Sequence, residues 1–203
     1  ELPGTIEDKG LYGGRLFRFN SLPSTNQWAM DNIKSLKHGD VVLAISQTAG
    51  KGRFGRTWIS PQALNLTASI ILKPPASDIF LTSITQVAAI AVAGVITKSS
   101  LVAMVKWPND VMVNGRKIAG ILAERDTVTG MIVLGIGLNV NMTEDDFREL
   151  ELMQPATSMK LESHREFDID RILTTLLVEL EHATELINPS NSAFPVREWR
   201  DLD

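Results

Sequence analysis

Residues 49–58 read AGKGRFGRTW, and two kinds of machinery fit them. Gly50, Gly52 and Gly55 match the G-x-G-x-x-G spacing of dinucleotide-binding folds, yet Lys51, Arg53 and Arg56 put three cations in a loop where that fold needs none. A dinucleotide fold needs its third glycine to open a helix whose N-terminus holds the pyrophosphate, with an acid about 20 residues on for the ribose. Here Gly55 leads through Arg56 and Trp58 to Pro61, the next element reads as a strand, and the place for the acid carries Lys73, Pro74 and Pro75. The fingerprint is therefore a false match, and no G-x-x-x-x-G-K-[ST] P-loop occurs either. What remains is a glycine loop whose cations suit a polyanion such as a nucleotide phosphate chain, since arginine grips phosphate through two parallel bonds. On the loop alone, a solvated basic turn stays open.

The elements around the loop decide the fold class. Residues 15–20, RLFRFN, alternate like a strand, and STNQWAMDNIKSLK after Pro23 reads as a helix with Ser24 as N-cap and Gln27 completing a capping box. A β-rich run at 40–47 delivers the chain into the loop, and LNLTASIIL at 64–72 is the next strand. Asp78 is expected to cap a long helix to about Lys98, so rich in Ala, Val and Ile that most of its faces must be covered. AMVKW is a short strand, and the Asn114-Gly115 pair predicts a type I′ hairpin. A strand at 131–141 follows, in which Gly135 and Gly137 mark a close backbone approach or a bulge. Asp168 caps a last amphipathic helix to about Ile187. Hairpins replace steady strand–helix alternation, so the expected fold is α/β or α+β around a mixed, largely antiparallel sheet flanked by helices.

Bulk properties narrow the function. A chain of 203 residues suits one domain, its composition is that of a globular protein, and a net charge of −4 argues against a broad nucleic-acid surface. Without cysteine there is no disulfide, thiolate nucleophile or Cys-based zinc site, and His38, His164 and His182 show no metal-ligand spacing. The N-terminal ELPGTIEDKG is unlike a signal peptide, and the apolar run at 87–96 is far short of the roughly 20 residues a membrane span requires. The expectation is a cytoplasmic protein with no membrane or DNA partner.

Three further segments carry chemistry, each with a plain alternative. STN at 24–26 sits at a helix N-terminus, where free amides and the helix dipole favour a carbonyl or anion, though capping alone accounts for it. VKWPND at 105–110 places Asn109 and Asp110 after a Trp-Pro turn. A lone carboxylate there suits a Mg²⁺ that keeps its waters and bridges phosphates, while an Asx turn is the simpler reading. Lys117, beside small Ala119 and Gly120, is placed to neutralise a carboxylate and a phosphate brought together, or is an exposed strand lysine.

The order S-T-N, Q-x-x-G-K-G-R-x-G-R-x-W, K-W-P-N-D, R-K-I-A-G-I-L and G-L-N resembles the catalytic domain of biotin protein ligases, from about Phe17 to Asn141 and more weakly to the final helix. The resemblance implies a biotin/lipoate ligase fold related to class II aminoacyl-tRNA synthetases. It implies ATP-dependent ligation of biotin to a lysine of a biotin carboxyl carrier domain of acetyl-CoA carboxylase or a related carboxylase, through biotinyl-5′-AMP with loss of pyrophosphate. Ser24, Thr25, Asn26, Gln47, Gly50, Lys51, Gly52, Arg53 and Gly120 match the biotin side, and Arg53, Arg56, Trp58, Asn109, Asp110 and Asn139 the ATP side. Lys117 matches the lysine serving both, and with Arg53 is the expected catalytic pair; Asp110 is the expected contact to phosphate-bound Mg²⁺.

The resemblance also implies a homodimer. Residues 1–203 are expected to be the catalytic domain, without the N-terminal winged helix of repressor-type relatives and with their small C-terminal SH3-like β-barrel absent or cut off. Lys51 stands where many relatives carry arginine, which keeps the charge but loses the planar fork. A lipoate ligase is the nearest rival; a non-catalytic binding module and a dinucleotide-dependent oxidoreductase are more distant.

Overall fold

Alternating side chains in the central strands cover both faces of one sheet, and the point where that cover stops creates the cleft. The computed structural model describes residues 5–74, 79–150, 152 and 154–185. Its strands are β1 Thr5–Glu7, β2 Leu16–Leu22, β3 Val41–Lys51, β4 Thr57–Ser60, β5 Asn65–Leu72, β6 Met104–Lys106, β7 Asp110–Val113, β8 Arg116–Arg125 and β9 Ile132–Asn139. The helices are α1 Thr25–Asp31, α2 Ile79–Lys98, α3 Glu144–Arg148, α4 Met159–Ser163 and α5 Ile169–Glu185. The sheet runs β1-β2-β3-β5-β9-β8-β7-β6 with β4 paired to β3, and only β2–β3 is parallel. The mixed, largely antiparallel sheet expected from the hairpin signals is the one observed.

One face is sealed by α2, with α5 packed behind it. Leu66, Ala68, Ile70 and Leu72 of β5 and Ile132, Leu134, Ile136 and Leu138 of β9 point into a core shared with Val87, Ala88, Ala91, Val92, Val95 and Ile96. Buried positions all along α2 are what its unbroken apolar composition requires. On the opposite face α1 covers only one end, where Phe17, Phe19, Val42, Ala44, Ile71 and Val133 pack against Ala29 and Ile33. Beyond that end the inward positions of β5, β9 and β8 are Ser69, Gly135, Gly137 and Gly120, too small or polar to build a core.

Three local readings are refined. The helix after Pro23 ends at Asp31 and gives way to a 3₁₀ turn at Ile33–Ser35, with Asn32 at the C-cap, where both its N–H (3.1 Å) and its Nδ2 (2.8 Å) donate to Trp28 O. Ser24 does cap α1, accepting from Gln27 N (3.4 Å), but the reciprocal half of the capping box is not made: Gln27 Nε2 donates to Asp31 Oδ1 (2.7 Å) instead. The glycine loop is largely a hairpin, with Gly50 opposite Trp58 and Lys51 opposite Thr57, and only a 3₁₀ turn at Arg53–Gly55 forms its tip. Asn114 (φ 49°) and Gly115 (φ 74°) make the left-handed pair the type I′ turn needs, and Asp168 Oδ1 accepts from Asp170 N (2.9 Å) and Arg171 N (3.3 Å). Asp78 and Ile187 lie outside the described residues.

Candidate active site

A cleft of about 1020 Å³ opens over the glycine floor between α1, the β3–β4 hairpin and the segments around β7. Ser24, Thr25, Asn26, Gln47, Lys51, Gly52, Arg53, Arg56, Trp58, Asn109, Asp110, Lys117, Gly120 and Asn139 all line it. Gly50 alone among the expected residues does not; it lines an adjoining smaller depression of about 620 Å³ at the hairpin tip, with Leu122 and Glu124.

At the α1 end the groups are neutral and hydrogen-bonding. Thr25 N donates to Gln47 Oε1 (2.7 Å), and Thr25 Oγ1 lies 3.1 Å from the same oxygen. Asn26 Nδ2 donates to Glu124 Oε2 (2.8 Å) and Leu122 O (3.3 Å), while its Oδ1 accepts from Ser69 Oγ (2.6 Å). Asn26 thus has its amide engaged by the protein. Gly135 is what lets it lie there, since a Cβ at 135 would come within 2.3 Å of Asn26 Oδ1.

At the far end the groups are charged. With Lys51 on the hairpin arm nearer α1, Arg53, Arg56, Lys106 and Lys117 line the cleft against Asp110, the one acid among its described lining residues, so its field favours an anion. Arg53 Nη1 donates to Asn109 Oδ1 (3.1 Å), tying the hairpin tip to the segment before β7, and Asn109 Nδ2 donates to Ile121 O (3.0 Å). Lys51 reaches Gln27 Oε1. The Trp58 indole packs against Gly137, where a Cβ would meet it at 2.3 Å, and its Nε1 is buried with no partner among the described residues.

Lys117 sits where the two ends meet, and a register shift puts it there. Met112 pairs with Lys117 but Val111 with Ala119, so Ile118 is an extra residue in β8. Ile118 and Ala119 both enter the core below the sheet, while Lys117 and Gly120 both face the cleft. Ala119 therefore leaves no space beside the lysine; Gly120 does, at 3.3 Å from Lys117 Nζ to a Cβ built there. Lys117 Nζ pairs with Asp110 Oδ1 at 2.7 Å and stands 5.7 Å from the Trp58 ring centre. Its backbone accepts from Thr157 N (2.9 Å) and donates to Pro155 O (3.0 Å), and Asn139 Nδ2 secures the same returning segment through Thr157 O (3.0 Å).

The Asp110 carboxylate is turned to Lys117. Among the described residues no group of three or more His, Cys, Asp or Glu could hold a metal ion. No helix among them is long and apolar enough to cross a membrane.

A model of the biotin/lipoate A/B protein ligase family matches residues 16–141, more than half of the chain. The chain belongs to that family. The bifunctional ligase/repressor BirA of Escherichia coli (strain K12) is 34% identical over 197 residues, covering 95% of this chain and 60% of the relative. The biotin–[acetyl-CoA-carboxylase] ligase of Paracoccus denitrificans is 36% identical over 123 residues, 59% of this chain and 51% of its own length. Among solved structures, the biotin protein ligase of Aquifex aeolicus in complex with biotin and ATP superposes with a TM-score of 0.73 at 25% identity, covering 84% of this chain and 70% of that one. The biotin protein ligase of Leishmania major, at 19% identity and a TM-score of 0.76, shares the fold. The chain spans 45% to 60% of the length of the ligase/repressor relatives it matches.

For this family member, sequence reasoning missed the residues that support the cleft from behind or wall it with apolar surface. Ser69 and Glu124 read as ordinary strand positions, and Met142, Phe147 and Leu150 carry no motif, yet all five touch the cleft or the residues lining it. The missed signal for Ser69 was the run of polar residues at alternate positions of β5, Asn65, Thr67 and Ser69, opposite the core-facing Leu66, Ala68 and Ile70.

Proposed function

We propose that the protein activates biotin with ATP and ligates it to a lysine of a biotin carboxyl carrier domain of acetyl-CoA carboxylase or a related carboxylase. The observation that carries this reading is Lys117, standing between a neutral hydrogen-bonding end of the cleft and a cationic end. A cyclic urea needs donors and acceptors, which the Ser24, Thr25 and Gln47 end supplies; the nucleotide needs cations, which Arg53, Arg56 and Lys117 supply. A cleft of about 1020 Å³ is large enough for both ligands. Relatives described as biotin–[acetyl-CoA-carboxylase] ligases and the Aquifex complex with biotin and ATP support the same assignment.

In the first step the biotin carboxylate attacks the α-phosphate of ATP and pyrophosphate leaves. In the second the acceptor lysine attacks the acyl carbon and AMP departs. The carboxylate is already ionised, so the first step requires no general base; it requires two anions to be held together, which is positioning and electrostatic stabilisation. Lys117 would exchange Asp110 for the incoming carboxylate and α-phosphate, and Arg53 would add charge from the hairpin tip. Mg²⁺ belongs with the ATP phosphates as part of that substrate, and Asp110 offers it one carboxylate at most. The same reading makes the protein cytoplasmic and homodimeric, and residues 1–203 a catalytic domain.

Biotin-dependent exchange of labelled pyrophosphate into ATP tests the reading, run beside lipoate and with neither acid. Exchange with biotin alone is expected; exchange with lipoate alone would transfer the protein to the lipoate branch, and biotin binding without exchange would make it a binding module. The hairpin tip is expected to be mobile without ligand, because Lys51, Arg53 and Arg56 repel one another around glycines. Biotin with MgATP should then slow tryptic cleavage at Lys51 and Arg53 several-fold, and equal cleavage with and without ligand would refute the ordering.

A further inference from the structure

We propose that Ser69 and Glu124 are positioning residues that set the direction of the hydrogen bonds the cleft offers a cyclic urea. The inference rests on the biotin reading and starts from chemistry that leaves no choice. Glu124 Oε2 and Leu122 O are acceptors, so the group of Asn26 that faces them is its NH₂, at 2.8 and 3.3 Å, and the opposite group is its oxygen. The nearest donor to that oxygen is the Ser69 hydroxyl at 2.6 Å. Ser69 is fully buried and has one proton, which goes to Asn26.

The Ser69 oxygen then faces Thr25 Oγ1 at 2.7 Å with only lone pairs to offer, so it draws the Thr25 proton towards itself. Gln47 Oε1, at 3.1 Å from Thr25 Oγ1, competes weakly for that proton because the Thr25 N–H already satisfies it at 2.7 Å. Two consequences reach the cleft. Thr25 Oγ1 is left with lone pairs, an acceptor for a urea N–H. Gln47 is held by its oxygen, which leaves Nε2 as a donor for the urea carbonyl. The relay Glu124–Asn26–Ser69–Thr25 thus carries the polarity of a carboxylate on β8, at the edge of the neighbouring depression, to the ligand side of α1.

Variants Ser69→Ala, Glu124→Leu and Glu124→Gln separate this from a merely structural role. Calorimetric titration with biotin and with MgATP, and exchange kinetics varying each substrate, are the readouts. Ser69→Ala and Glu124→Leu are expected to weaken biotin binding and raise its KM by about 5- to 20-fold, as loss of an aligned hydrogen bond would, with the KM for ATP within about two-fold of the parent. Glu124→Gln keeps an acceptor oxygen for Asn26 Nδ2 and should stay within about three-fold of the parent for biotin. Unchanged biotin affinity in Ser69→Ala, equal losses for both substrates, or a Glu124→Gln variant as damaged as Glu124→Leu would each overturn the relay. Should Ser69→Ala fail to fold, the two Glu124 variants decide alone. A parent protein that binds no biotin would instead remove the reading on which the relay depends.

Discussion

Replacing Lys117 with alanine should slow biotin-dependent pyrophosphate exchange by roughly 10- to 150-fold, because one charged hydrogen bond, worth about 1.5 to 3 kcal/mol, is lost where two anions meet. Two effects act in the same direction. The variant removes the cation that would neutralise carboxylate and α-phosphate, and it leaves Asp110, whose side chain is only 17% exposed, facing the incoming anions without its partner. The companion Asp110→Asn separates them: it frees Lys117 while deleting the repulsion, so its loss should be several-fold smaller. Both are measured as initial exchange rates at saturating biotin and MgATP. An unchanged rate for Lys117→Ala would remove this lysine from the mechanism.

The second large effect lies away from the cleft, in the turn that leads from the 3₁₀ turn at Ile33–Ser35 into β3. Asp40 is buried, accepts from Arg15 N (2.9 Å), Arg15 Nε (3.2 Å), Arg15 Nη2 (2.5 Å) and Lys37 N (2.9 Å), and so closes the parallel β2–β3 pair on which α1 rests. Burial pushes its carboxyl up, but the Arg15 side chain and the Arg15 and Lys37 backbone N–H groups outweigh burial and hold it below the usual carboxylate range. Asp40→Asn is expected to lower stability by about 3 kcal/mol, the low end for breaking a buried pair because Arg15 is 30% exposed. For a domain of this size that is a fall in Tm of about 6 to 12 °C.

The pH dependence follows from the direction of the shift. A depressed folded-state pKa contributes stability that is present above the unfolded value of about 4 and is lost as pH falls through the lower folded value. The gap between parent and variant in urea melts should therefore be full at pH 7 and shrink below about pH 4. A gap that persists undiminished at pH 2 to 3 would assign the effect to geometry rather than charge.

Much of the fold was readable because its signals are local. Two-residue alternation at 15–20, the strand run at 64–72, the Asn114-Gly115 turn and the Asp168 cap each depend on neighbours within a few positions, and the structure has them all. The helical pattern after Pro23 runs past the observed end of α1, where Asn32 closes the last turn with both its N–H and its side chain on Trp28 O. The sequence leaves the glycine loop open as a solvated basic turn; its pairing with β4, Gln47 with Ser60, Gly50 with Trp58 and Lys51 with Thr57, is a property of the sheet and not of the loop.

The residue order by itself determined the class of fold, the identity of the motif residues and the preference of one loop for an anion, since composition, spacing and charge are carried by the chain. Only the tertiary structure decided which way those residues face. Strict alternation would turn Lys117 away from the side of the sheet that Gly120 faces; the extra residue Ile118 brings both into the cleft. Likewise Gly135 and Gly137 marked a close backbone approach or a bulge, and that the side chains of Asn26 and Trp58 are what lies against them comes from packing between segments distant in sequence. Such contacts are settled by volume and by hydrogen-bond satisfaction across the sheet, which no single stretch of sequence contains.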